Sequence, residues 1–70
     1  GLNLDTNSES IIFFVKYMDK HSLWLKSFAE NPLRFTFTNE ASRLEFSADA
    51  MRLHIENLKL GIAFPWKNFE

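Results

Sequence analysis

The residues with the most chemical potential are the two histidines, His21 and His54, and the polar residues beside them. Ser22 directly follows His21, but neighbours one apart on a helix do not face each other, so the two cannot act as nucleophile and base. His54 and Glu56 lie two apart and would share one face of a strand, yet two ligands do not make a metal site. We therefore expect His21 to be an interior or interface residue and His54 to be a solvated one.

Other common catalytic signatures are also missing from the sequence. The only glycines are Gly1 and Gly61, which excludes a glycine-rich phosphate loop. The absence of cysteine excludes disulfides and thiolate metal sites. No predicted face carries paired carboxylates for acid–base catalysis. The sequence therefore predicts a protein that is not an enzyme and that uses no cofactor or metal.

A set of basic residues offers an alternative, ligand-binding surface. If the C-terminal half is a sheet, its outer face carries Arg34, Arg43, Arg52, His54 and Lys59. Single-stranded nucleic acid is bound by basic grooves with aromatic platforms, but the strand aromatics would all point to the opposite face. Eight Lys and Arg against nine Asp and Glu give a net charge of -1, which provides no overall attraction for polyanions. Nucleic acid is therefore a disfavoured partner.

The length and composition indicate one small domain over residues 1–70. A chain of 70 residues with 46% hydrophobic residues can order itself but has no room for a second core. The apolar run IIFFV is much shorter than the ~20 residues of a membrane span, and no signal peptide is apparent. These features favour a cytoplasmic location without establishing it. Because the chain begins at Gly1, a fragment of a longer chain is also an open interpretation.

The N-terminal part has the pattern of one long amphipathic helix over about residues 7–30. A capping box at Thr6–Glu9 would start it, and Asn31-Pro32 would end it. At 100° per residue the polar side chains fall in one arc, with only Ile12 and Leu23 misplaced, and a bend is expected near residues 19–22. The alternative makes IIFFVKYM a strand in a ferredoxin-like order, since its β-branched and aromatic residues suit one.

The segments LRFTFT and RLEFSA alternate between apolar and polar residues and predict a β-hairpin. Pairing residue 38 with residue 43 places Phe37 opposite Leu44, Phe35 opposite Phe46, and Leu33 opposite Ala48.

Residues 48–60 can be interpreted in two ways. A helix would be capped by Ser47 and closed by Gly61, but would leave Leu53 and Leu60 away from the core. Strands with turns at Asp49-Ala50 and Glu56-Asn57 would place every large apolar residue on one face, although neither turn contains glycine. The segregation favours strands, so the sheet is predicted over about residues 33–64.

Residues 43–70 resemble hairpin segments of bacterial pleckstrin-homology-like domains, in which a strand, an acidic turn and another strand lead to an apolar-Pro-Trp step. The resemblance covers about the last 28 residues. It implies strands here, and no function.

The predicted fold is α+β, with one long N-terminal helix on an antiparallel meander of three to four strands. A helix–β-hairpin–helix arrangement is the alternative. The apolar arc of the helix is wider than the ~100° stripe that one sheet covers. We therefore expect a protein-interaction or assembly module that self-associates through Phe13, Tyr17, His21, Trp24 and Phe28. A small-ligand or nucleic-acid-binding domain using the basic face is the alternative function.

Overall fold

The protein folds as a helix, three antiparallel strands and a second helix, as seen in a computed structural model that describes residues 8–69. The elements are α1 (Ser8–Lys20), β1 (Trp24–Glu30), β2 (Leu33–Thr38), β3 (Arg43–Ser47), α2 (Ala48–Lys59) and a 3₁₀ turn (Trp66–Phe69). The sheet order is β1-β2-β3. These elements confirm the predicted α+β class with an N-terminal helix and an antiparallel meander, and they are also compatible with the helix–hairpin–helix alternative.

Helix α1 ends at Lys20 and does not continue to residue 30 as the periodicity indicated. The amide of Leu23 donates to the carbonyl of Met18, and the amide of Ser22 donates to that of Asp19. This pair of bonds defines a Schellman motif, with Ser22 at the left-handed position (φ 61°) and Leu23 packed in the core beside Met18. The chain therefore leaves the helix at a point where only a bend within one continuous helix was predicted. The predicted cap at Thr6 lies outside the described residues.

Strand β1 occupies residues that had been assigned to the helix, and a β-bulge explains why its pattern was missed. Leu25 pairs with Phe37 and Ser27 pairs with Thr36, so Lys26 is the extra residue. The bulge shifts the alternation, so Leu25 and Phe28 share one face at a spacing of three, which is also a helical spacing.

The predicted hairpin between β2 and β3 is confirmed in its register. Phe35 pairs with Phe46, and Phe37 pairs with Leu44. In the turn, the side-chain Oδ1 of Asn39 accepts hydrogen bonds from the amides of Ala41 and Ser42, each at 2.8 Å. The expected pair of Leu33 with Ala48 is not formed, because Ala48 is the first residue of α2.

Residues 48–59 form a helix, which corrects the preference for two strands and the strands implied by the pleckstrin-homology-like resemblance. The hydroxyl of Ser47 accepts from the amide of Ala50 at 3.1 Å, as an N-cap. At the other end Gly61 has φ 82°, and the amide of Ile62 donates to the carbonyl of Asn57 at 2.8 Å. Two good caps therefore outweigh the alternating pattern.

The core lies between both helices and one face of the sheet. The ring of Phe14 on α1 stands edge-on to Phe37 and Phe46, at centroid distances of 5.6 and 5.5 Å. Met51 and Ile55 of α2 are fully buried in the same cluster. The sheet therefore has an inner face under the helices and an outer face that carries Arg34, Thr36, Thr38, Arg43 and Glu45.

Candidate interaction surface

A groove between α1 and β1 is an apolar concave surface in the described part of the chain. Its volume is about 280 Å³. We call it the α1–β1 groove, and it is lined by Ser8, Ile11, Ile12, Leu25, Phe28, Leu33 and Phe35. With one hydroxyl among aliphatic and aromatic side chains, it offers a site for apolar groups.

The groove forms where α1 passes beside the edge strand β1. Phe14 of α1 lies over Phe37 and Phe46, which belong to β2 and β3. On β1 the ring of Phe28 stacks beside Phe35 at 6.2 Å, yet Phe28 remains 57% exposed. Ile12, on the opposite wall, is 53% exposed. Both walls therefore present apolar side chains that this chain has not buried.

The five residues predicted to form an interface do not share one surface. Phe13 lies on α1 and is 40% exposed, while Phe28 lines the groove on the inner face of the sheet. Trp24 pairs with Thr38 and so lies on the outer face. Tyr17 and His21 pack with their rings 4.8 Å apart, and both contact Trp66. The sequence analysis grouped all five residues because it placed residues 24 and 28 on the same helix as the others.

The five basic residues of the alternative surface are also divided between two elements. Arg34 and Arg43 lie on the outer sheet face on either side of Glu45, at N–O distances of 3.9 and 2.8 Å. Arg52, His54 and Lys59 lie on α2, which packs against the inner face. There Arg52 pairs with Asp49, and Lys59 lies 3.7 Å from Glu56. The structure therefore does not bring the five together as one basic face.

His54 is part of an aromatic cluster and is not the solvated residue that was expected. Its ring lies 4.7 Å from Phe64 and 5.5 Å from Phe46, and it stacks over Phe14 at 6.5 Å. Burial among these rings lowers the pKa of His54 from its usual value of 6.5, because the charged form loses hydration. The neutral imidazole is therefore the form that suits this site.

Within residues 8–69, no group of three or more His, Cys, Asp or Glu side chains is arranged to hold a metal ion. None of the helices described is long and apolar enough to cross a membrane.

Several groove residues were missed by sequence reasoning, notably Ile12 and Leu25. A signal for Ile12 was present, because it was one of two apolar residues on the polar side of the expected helix. With 53% of its surface exposed, Ile12 is only partly covered by its own chain. Leu25 carried no such signal, because the bulge at Lys26 determines its face.

Searches for related proteins do not add to this geometry. No protein-family model, curated protein or solved structure matched the chain.

Proposed function

We propose that this protein is a non-enzymatic interaction module that self-associates through the α1–β1 groove. The observation that carries the proposal is the pair of apolar walls, in which Ile12 and Phe28 are each more than half exposed around a groove of about 280 Å³. Contiguous apolar surfaces of this kind mark protein-interaction sites on small domains. The position differs from the helix face first predicted, because β1 supplies one wall.

The energetics favour association through this surface. Burying apolar area contributes roughly 25 cal/mol per Å², and a complete Phe or Ile side chain contributes about 1.5–3 kcal/mol. Ile12, Leu25 and Phe28 are between 36% and 57% exposed, so a partner can still recover a large part of this stabilisation. A domain of this size buries only about 60% of its unfolded surface and so benefits from further burial.

The test compares Ile12→Ser with Leu53→Ser by light scattering at equal concentrations. Leu53 is a matched control, since it is also a helical residue and is 52% exposed, against 53% for Ile12, but does not line the groove. We expect Ile12→Ser to shift the chain to monomer and Leu53→Ser to leave its mass unchanged. Equal effects of the two substitutions, or no effect of Ile12→Ser on an oligomer, would show that the groove is not part of the interface.

A further inference from the structure

Strand β1 is an open edge of the sheet as well as one wall of the α1–β1 groove. In the described residues it pairs only with β2, and all seven of its residues are exposed. Its free edge therefore presents backbone amides and carbonyls that can pair with another strand. The opposite edge strand, β3, is shorter, with five residues, and presents Arg43 and Glu45 on its outer face.

We propose that two copies of this chain join β1 to β1 in antiparallel orientation, so that each sheet continues into the other. This inference rests on the proposed function and specifies its geometry. The six-stranded sheet that results satisfies the backbone groups of both free edges and brings the two α1–β1 grooves together. Since Leu25 and Phe28 line the groove and remain exposed, they are open to the same residues of the second copy.

Two features of β1 restrict the register. Inner-face residues of the two copies must be opposite each other if the apolar face is to continue across the seam. The bulge at Lys26 interrupts the regular strand, so the two-fold axis must lie within residues 27–30. Within that segment, a two-fold axis at Phe28 places Phe28 against Phe28 of the second copy. A two-fold axis at Ala29 instead places Phe28 against Glu30 of the second copy.

Charge complementarity supports the same register. The axis at Phe28 sets Lys26 of each copy opposite Glu30 of the other, which gives two opposite-charge pairs across the seam. Lys26 and Glu30 are exposed and form no ion pair within the described part of their own chain. Both charges are therefore available to a second copy.

The area needed explains why the groove and the edge must act together. A stable interface buries about 800 Å² per partner, which is roughly one sixth of the 5026 Å² surface of this chain. Pairing between short strand segments covers only part of that area. Ile12, Leu25 and Phe28 on the inner face and Trp24 on the outer face extend the contact on both sides of the seam.

The first test is a charge exchange measured by sedimentation equilibrium. Lys26→Glu and Glu30→Lys each place like charges across the seam twice, and each should raise the dimer dissociation constant about 10-fold. The double variant Lys26→Glu/Glu30→Lys restores both pairs and should return the constant close to that of the unmodified chain. Additive weakening in the double variant would overturn edge pairing in this register.

The second test uses the absence of cysteine in the chain. In the proposed register Ser27 lies opposite Ala29 of the second copy, at a Cα separation of about 4.5–5.5 Å, which a disulfide can span. Under mild oxidation, a mixture of Ser27→Cys and Ala29→Cys chains should form cross-linked heterodimers. Neither variant should cross-link efficiently alone. Cross-linking of Ser27→Cys chains alone would show a different register and contradict the proposal.

Failure of edge pairing can be distinguished from failure of the proposed function. A dimer that Ile12→Ser dissociates, but that shows neither charge rescue nor the mixed disulfide, would overturn edge pairing and leave the interaction module standing. A monomer at every concentration would overturn both. If nuclear Overhauser contacts in that monomer join Leu4 to Phe28, the first seven residues occupy the groove instead.

Discussion

The ring of His54 lies 4.7 Å from the ring of Phe64, with the two planes inclined at 45°. This contact places an ionisable group against the apolar cluster formed by Phe14, Phe46 and Phe64. Histidine is the side chain whose charge ordinarily changes between pH 5 and 8. The fold therefore contains a group that links its stability to pH in the physiological range.

We predict that the protein loses stability as the pH falls below about 6.5, the usual pKa of histidine. Burial lowers the pKa of His54 in the folded state, so the unfolded chain binds more protons in this range and stability rises with pH. The contribution of His54 is complete above its unfolded pKa and declines as the pH falls toward the folded value. Urea unfolding at about pH 7.5 and about pH 5.5 should show this loss.

The control for this prediction is His54→Gln, which removes the titrating group and keeps a polar side chain. Its stability should change less between the two pH values than that of the unmodified chain. An equal change in both proteins would assign the pH dependence to other groups.

Replacing Ser22 by glycine should stabilise the fold by about 0.5–1 kcal/mol, because Ser22 holds φ at 61°, where a Cβ is unfavourable. The converse test is Gly61→Ala, since Gly61 has φ 82° and a Cβ there would meet no atom within 4 Å. Its expected loss of about 1 kcal/mol would come from the backbone alone. Chemical denaturation measures both changes, and the same sign for the two would contradict the assigned helix ends.

Replacing Ser47 by alanine should cost about 1 kcal/mol, because its hydroxyl accepts a hydrogen bond from the amide of Ala50 at the start of α2. Ser27→Ala on the exposed strand β1 is the matched control and should change the stability by less than about 0.5 kcal/mol. Thermal or urea unfolding of both variants gives the comparison. Equal effects would mean that Ser47 does not cap a helix.

Phe14 and Phe13 are neighbours in sequence but should differ greatly when replaced by alanine. Phe14 is fully buried and contacts Phe37 and Phe46, so Phe14→Ala should cost about 3–5 kcal/mol and could unfold a domain of this size. Phe13 is 40% exposed, so Phe13→Ala should reduce the stability much less. Far-ultraviolet circular dichroism with urea unfolding measures both. A larger loss of stability for Phe13→Ala than for Phe14→Ala would contradict the rotation of α1 that buries Phe14.

The hairpin was predictable from sequence because its alternation is local and unbroken. Phe35, Phe37, Leu44 and Phe46 stand at even spacing on both sides of one short turn, which fixes their common face and their register. For α2 the local signals also existed, as Ser47 and Gly61 are good caps. The prediction instead followed the alternating pattern of apolar residues. That pattern is incidental, because Leu53 and Leu60 are exposed on the helix.

Strand β1, and with it the groove, could not be derived from the same rules. The end of α1 depends on Ser22 taking a left-handed conformation that glycine usually provides. The bulge at Lys26 then separates Leu25 and Phe28 by three residues, so an edge strand presents a helical spacing. Both features are consequences of tertiary packing, since Leu23 must reach the core directly after the turn.

The most direct test of the central claim is the mass of the unmodified chain in solution, measured by sedimentation equilibrium over a wide range of concentrations. We predict that the average mass rises from the monomer value of 8.2 kDa toward twice that value as the concentration increases. Substitution of Ile12 by serine should suppress this rise. A mass of 8.2 kDa at every concentration would contradict the account.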